Sequence, residues 1–482
     1  MENNQKFSVV SLFSGAGGFD WGFHRTGRFE TQLACEILPE PAATLARNLA
    51  LEIVATEEPF TPILNGRPIV IQGDIQLVDF SQVGFCPDVL IGGPPCQDFS
   101  ITISKKGGGR PGLNGGRGQL YVEFVRAVMF FQPKIFVFEN VPGLLSANEG
   151  AAYSIILNDL QNLEKRRTEV IEAGGKQKVP KNQVHDYEII YAGIVNAPKI
   201  GVPQTRRRLI IVGLRDDLHT SFNLWDQQKI REDLSAALSG NNSRIARFPL
   251  TCLEIFEGRP LPELQYRYKE IMSAYEQIAF DCRLPKAAEW RERVWDKLDL
   301  DDIRHDYFFV NQIEETPADL AEYDLAMEEH RSILRDLGWL GRPIYEQDYP
   351  DQTHRAPRLS KDVVDRMSMI PPDENHEFVK GTPWEVEGKD ISFIYRRAAP
   401  LKPAWTVMAY GGGGTYGYHY ERNRAQLTLR ERARIQTFTD DFIFEKNKIR
   451  AQIGEAVPPL MGQRIAQNLI PILELISKRI LE

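Results

Sequence analysis

Cysteine is scarce and unpaired in pattern. The five residues, Cys35, Cys86, Cys96, Cys252 and Cys282, are odd in number, widely spaced and form no Cys-x-x-Cys pair. That excludes a disulfide framework and a zinc cluster and leaves reduced thiols. No run approaches the roughly 18 consecutive apolar residues of a membrane span. The polar stretch Met1 to Lys6 lacks a signal-peptide layout, so no membrane partner and a cytoplasmic location are expected. Positive charge is in deficit, 58 Lys and Arg against 66 Asp and Glu, for a net charge of -8. This excludes a uniformly basic nucleic-acid binder, although phosphate contacts are local and distribution outweighs the total. One further absence concerns a motif. The run "VVSLFSGAGGFDWGF" carries Gly15 and Gly17 after an apolar strand, but Asp20 stands where a dinucleotide-binding turn has its third glycine.

What is present is an ordinary globular composition, 42% hydrophobic and 26% charged, over 482 residues, a length that favours two domains. From Phe7 to about Leu214, "FSVVSLF", "TQLACE", "PIVIQGDI", "PDVLIGG", "KIFVFEN", "YEIIYAG" and "RLIIVGL" read as strands, with "LYVEFVRAVMFFQ" at helical spacing between two of them. Such alternation predicts an α/β fold, a mostly parallel sheet with helices on both faces and ligands at the carboxyl ends of the strands. Residues 216–392 are irregular and rich in acidic helical stretches such as "EETPADLAEYDLAMEEH". Helix-forming signals return at "LTLRERARIQTF" and "PLMGQRIAQNLIPILELI". The expected organisation is residues 1–215 as the first part of one domain, 216–392 as a smaller inserted domain, and 393–482 as the return with a closing helix.

Chemistry enters at "IGGPPCQDFS". Cys96 follows two prolines that preset the backbone, and a reactive thiol needs such positioning together with a lowered pKa. Taken alone it reads first as a small buried apolar residue, and only its partner changes that reading. The next strand ends in "VFENVPG", which places Glu139 beside it, a nucleophile next to a proton donor whose pKa burial would raise.

These motifs together resemble the cytosine-C5 DNA methyltransferases of the restriction-modification type. "FSGAGGF" is similar to that family's methyl-donor loop, "GGPPCQDFS" to its Pro-Cys motif and "FENVPGL" to its Glu-Asn-Val motif. "NAPKIGVPQTRRRLIIVG" is similar to its Gln-x-Arg-x-Arg segment, and "LTLRERARIQTF" and "QIGEAVPPLMGQRIA" to its closing motifs. The last departs from the family in having Glu455 where Asn is usual. The resemblance implies a Rossmann-like S-adenosylmethionine-dependent methyltransferase domain with an inserted target-recognition domain. It implies S-adenosyl-L-methionine as cofactor, S-adenosyl-L-homocysteine as product, and no metal. It also implies methyl transfer to C5 of a flipped cytosine through a covalent bond from Cys96 to C6. Glu139 would donate to N3, Arg208 would bind the O2 edge, and Arg206 would brace the site.

For the cofactor, Ser14, Gly15 and Gly17 would admit the methionine end. Glu36, about twenty residues beyond the glycines, would accept from the ribose hydroxyls. Asp74 would accept from the adenine amine, or else act as a helix N-cap, with Ile75 packed on the ring. By correspondence Phe13, Phe19, Pro95 and Leu120 line the same pocket. Double-stranded DNA is the implied partner, held by Gln97 and Ser100 and by Lys105, Lys106, Arg110 and Arg117 in a glycine-rich stretch without acids. From Arg396 to Arg434, eight basic residues against Glu421 and Glu431, with "YGGGGTYGYHY" among them, suggest a second contact with the DNA backbone. The protein is expected to act as a monomer, functionally paired with a restriction endonuclease. The competing readings are a tRNA cytosine-5 methyltransferase, whose Cys-Phe-Thr motif is absent, and an inactive DNA-binding regulator, which would lack Cys96 or Glu139.

Overall fold

The computed structural model describes residues 6–62, 66–95, 120–172, 179–240, 243–386, 394–410, 415, 417–424 and 426–481. Two compact units divide the chain. Met1–Asn196, Arg207–Ser239 and Ala456–Glu482 form the first; Ala197–Arg206 and Gly240–Glu455 form the second. The boundaries differ from the expected insertion at 216–392. Residues 216–239 stay with the sheet, because Arg231 on the helix Leu224–Ser239 donates to the Ile189 carbonyl and pairs with Glu188. Residues 394–455 leave it, because their arginines are spent inside the second unit, as described below.

The first unit is built on an eight-stranded sheet. Its strands are β1 (Phe7–Leu12), β2 (Phe29–Glu36), β3 (Glu52–Ala55), β4 (Ile69–Gln72), β5 (Val89–Gly92), β6 (Ile135–Asn140), β7 (Tyr187–Asn196) and, after the two-residue β8 (Gln204–Thr205) of the second unit, β9 (Arg207–Arg215). The order is β3-β4-β2-β1-β5-β6-β9-β7. Seven strands run in one direction, and β9 alone runs against them, antiparallel to both β6 and β7. All seven strands expected from the sequence are present. The eighth, β3, gave no signal, since only one residue of "EIVA" is even half-buried.

The alternation of side chains along the strands explains the layers. Ala34 and Val70 face helix α2 (Pro39–Leu49) with Ala42 and Leu45, whereas Leu33, Cys35, Ile69 and Ile71 join Phe124 and Val128 of helix α3 (Leu120–Phe131) on the other face. Register is pinned at the amino ends by one carboxylate. Asp88 accepts from the Ser8 amide and hydroxyl at 2.8 and 3.0 Å and pairs with Lys134 at 2.6 Å, tying β1, β5 and β6 together. The short helix α1 (Gly18–His24) meets the closing helix Pro459–Leu481 through glycines: a Cβ at Gly22 would lie 2.2 Å from the Pro459 carbonyl oxygen.

The second unit is mostly helical around Tyr275, Trp290, Met367, Ile370 and Phe378. Buried ionic groups hold its segments. Glu254 closes a capping box with Thr251 and accepts from the Leu261 amide. The fully buried His330 places Nδ1 2.8 Å from Glu254 Oε1 and Nε2 2.9 Å from the Phe248 carbonyl. Two acceptors require both ring nitrogens to carry protons. Burial opposes that charge, but the Glu254 carboxylate and the Phe248 carbonyl outweigh it and lift the ring above its ordinary range. A raised folded value means that the stabilisation is complete below the unfolded pKa of about 6.5 and is lost as pH rises through the folded one. The gap in melting temperature between the wild type and His330→Gln is therefore expected to be widest near pH 6 and to narrow towards pH 9. A gap that grows with pH would contradict the charged pair.

Candidate active site

Because β6 is parallel to β5 and antiparallel to β9, its carboxyl end lies beside the end of β5 and the start of β9. Gly92 pairs with Phe138, and Asn140 with Leu209. Glu139 therefore projects where the chain leaves β5 towards Cys96. A Cβ on Gly93 would stand 2.7 Å from Glu139 Oε2, so the carboxylate occupies space that only glycine leaves. Asn140 Nδ2 donates to the Pro94 carbonyl at 3.0 Å and ties the two strand ends together. Arg208 Nε lies 2.8 Å from Glu139 Oε1, and the two side chains are only 14% and 12% exposed. Glu139, expected as a buried proton donor, is thus held in an ion pair. Cys96 lies outside the described residues, as do Gln97, Ser100, Lys105, Lys106, Arg110 and Arg117.

Arg206 behaves differently from Arg208. Alternation along the strand turns Gln204 and Arg206 inward and leaves Thr205 and Arg207 exposed. Arg206 belongs to the second unit, is 1% exposed and donates to the Gly454 carbonyl at 3.1 Å. Its geometry is that of a brace, with no face open to a substrate.

The glycine turn follows β1. Phe13, Gly15 and Gly17 all have positive φ, at 55°, 55° and 83°. For Phe13 this is an uncommon backbone state, of the kind that concentrates at functional turns. A Cβ on Gly15 would meet no described atom within 4 Å, so the turn presents an open face there. Glu36, at the end of β2, spans the turn: Oε2 accepts from the Gly15 amide and Oε1 from the Leu38 amide, both at 2.8 Å. An apolar, open turn beside a strand-end carboxylate fits the methionine and ribose ends of S-adenosylmethionine.

The remaining expected positions divide. Asp74 does cap a short helical turn, Oδ1 accepting from the Gln76 amide at 3.0 Å, which leaves Oδ2 for another partner. Ile75 is buried in the core beside Val78 and Phe80, its carbonyl held by Arg126. Phe19 is buried edge-on to Phe23 and against Gly462 of the closing helix. Leu120 heads α3, and Pro95 is exposed. Sequence reasoning passed over Ile37 and Leu38, apolar yet 60% and 37% exposed directly after Glu36. The signal was an apolar pair following a strand-end acid.

Much of the basic stretch from Arg396 to Arg434 is buried and not the expected DNA-facing surface, while 411–414, 416 and 425 lie outside the described residues. Arg397 is fully buried and donates to the Ile370, Met367, His419 and Glu421 carbonyls. Arg430 pairs with Asp351 and Arg434 with Asp440, both with no exposure, while Tyr418 and Tyr420 are core residues. These charges staple the second unit. Glu455, the departure from the usual Asn, accepts from the Tyr410 hydroxyl. Of potential metal ligands, His185, Asp216 and Asp217 approach one another at the far end of β9, but they are at least partly exposed, and Asp217 already holds Arg215. Among the described residues no helix is long and apolar enough to cross a membrane.

Comparison with known proteins agrees with this geometry. The family described as C-5 cytosine-specific DNA methylase matches residues 7–471. The DNA (cytosine-5-)-methyltransferase M.ApeKI of Aeropyrum pernix is 49% identical over 97% of this chain and 99% of its own. The type II methyltransferase M.NgoFVII of Neisseria gonorrhoeae is 28% identical over 98% and 88% respectively. A solved DNA modification methyltransferase encoded within a prophage (E. coli) shares the fold, with a TM-score of 0.52 at 20% identity, covering 97% of this chain and all of that one. With the strand-end site and the match over nearly its full length, the chain belongs to the C-5 cytosine-specific DNA methylase family.

Proposed function

We propose that the protein methylates C5 of a flipped cytosine within a specific duplex DNA sequence, as the modification enzyme of a restriction-modification system. The observation that carries this reading is the meeting of β5 and β6, where Glu139 fills the space left by Gly93, paired with Arg208 and three residues along from which the chain reaches Cys96. C5 of cytosine is too weak a nucleophile to attack a methyl sulfonium directly. The Cys96 thiolate adds to C6, Glu139 holds the proton shared with N3, and Arg208 takes the O2 edge. C5 then bears the electron density to form its new carbon–carbon bond. Loss of the C5 proton returns electrons to the ring and expels the thiolate. Bound S-adenosylmethionine supplies the electrophilic methyl group. The scheme calls for no metal.

Supporting the cofactor assignment are the Gly15–Gly17 turn, the Glu36 carboxylate for the ribose hydroxyls, Asp74 Oδ2 for the adenine amine, and the exposed Ile37 as apolar cover for the ring. A stacked base is out of reach of Cys96 and Glu139, so the cytosine must be flipped out, at a cost of a few kcal/mol. We assign sequence reading to the second unit and sequence-blind phosphate contacts to Lys105, Lys106, Arg110 and Arg117. Action as a cytoplasmic monomer beside a cognate endonuclease completes the reading.

Bisulfite sequencing of DNA from cells expressing the protein is expected to show methylcytosine at one short motif; unmodified DNA would refute the activity. Cys96→Ser is expected to abolish transfer while leaving cofactor affinity nearly intact, since a hydroxyl cannot supply the anion at neutral pH. Appreciable turnover by the serine variant would contradict covalent addition. Glu36→Ala is expected to weaken S-adenosylmethionine binding by roughly ten- to a hundredfold, the worth of a charge-assisted hydrogen bond, with DNA affinity unchanged. Calorimetry returning the wild-type cofactor affinity would overturn the ribose assignment.

A further inference from the structure

Beneath the glycine turn lies a buried carboxyl that the chemistry above does not use. Asp20, with no solvent exposure, accepts from Ser11 Oγ at 2.9 Å on Oδ2 and from Thr31 Oγ1 at 3.1 Å on Oδ1. Ser14 Oγ in turn lies 2.9 Å from Ser11 Oγ and 3.4 Å from the Cys35 carbonyl. Burial pushes the Asp20 carboxyl up to about 6, against the Ser11 and Thr31 hydrogen bonds that lower it, so it is ionised at neutral pH.

The direction of these bonds is forced. A hydroxyl has one proton. Ser11 gives its proton to the carboxylate, so the only proton left for the Ser11–Ser14 contact is that of Ser14. Ser14, half-buried on the turn, has thereby spent its proton inward, and towards anything on its open side it can only accept. A carboxylate on a ligand would find no donor there, whereas an ammonium would find an acceptor whose hydroxyl dipole is already oriented.

We propose that Asp20 is a positioning residue that acts through Ser11 to hold the Ser14 hydroxyl as an acceptor for the α-ammonium of the cofactor's methionine end. The inference rests on the reading of the glycine turn as the cofactor site. It assigns that turn an order in which one end of an amino acid is recognised by a relay running inward through Ser11 of β1 to Asp20 of the helix Gly18–His24, and not by the turn alone.

Calorimetry tests this with two ligands, S-adenosylhomocysteine and its analogue lacking the α-amino group. Asp20→Ala frees the Ser11 proton to turn towards Ser14; Ser11→Ala removes the middle of the relay and leaves Ser14 only the distant Cys35 carbonyl. Each is expected to weaken S-adenosylhomocysteine by about tenfold and to leave the analogue within about twofold of wild type. Asp20→Ala introduced into Ser14→Ala is expected to add no further loss. Equal loss for both ligands would make Asp20 a mere support of the turn and overturn the proposal, as would no loss for either. Should Asp20→Ala fail to fold, Ser11→Ala, which removes a single oxygen, decides by the same comparison. If Glu36→Ala and Ser14→Ala both bind S-adenosylhomocysteine as wild type does, the cofactor reading itself fails, which is a different outcome from failure of the relay.

Discussion

Leu12 pairs with Cys35 on one side and with Gly92 on the other, and Gly92 pairs in turn with Phe138. This shared register brings four strands to an end at one level, and the candidate site depends on it. The glycine turn leaves β1 there, Glu36 closes β2, the Pro-Pro-Cys segment leaves β5, and Glu139 closes β6. A slip of one residue in any strand would turn its terminal side chain to the opposite face. The Asp88 cluster at the amino ends and the apolar layers on both faces resist such a slip.

The antiparallel return adds the element that parallel strands cannot supply. Only a strand running against β6 can begin where β6 ends, so β9 delivers Arg208 to Glu139 within two residues of its start. The same chain segment divides its arginines between the two units, which part at Arg206 and Arg207. Arg208 reaches the carboxylate, while Arg206 is buried on Gly454. A run that reads as a uniform basic motif is thus split into an ion-paired arginine beside Glu139 and a buried one held by a carbonyl.

Much of this was legible in the sequence because the strands are buried on both faces and read as continuous Val, Ile and Phe runs. The strand-end positions of Gly15, Glu36 and Glu139 followed from that pattern, and the family resemblance supplied their roles. Other features were hidden for identifiable reasons. The edge strand Glu52–Ala55 is short and mostly exposed, so it has no burial pattern to read. The boundary moved from 216 to 240 because Arg231 fixes the intervening helix to β7, a contact made across more than forty residues. The charges from Arg396 to Arg434 looked like a DNA surface because composition does not reveal burial, and only the fold shows Arg397 encircled by carbonyls. The Ser14–Ser11–Asp20 relay was equally invisible, since two serines and an aspartate at spacings of three and nine residues carry no periodic signal.

In the proposed mechanism Cys96, four residues past the end of β5 in the chain, attacks the base held by Glu139. Duplex DNA carrying 5-fluorocytosine at the recognition site tests it most directly, since fluorine at C5 cannot leave as a proton does. After incubation with S-adenosylmethionine, mass spectrometry of proteolytic fragments is expected to find the methylated fluorocytosine bonded to Cys96. A peptide adduct at another residue, or methyl transfer to the unsubstituted duplex without any trapped complex on the fluorinated one, would contradict the account.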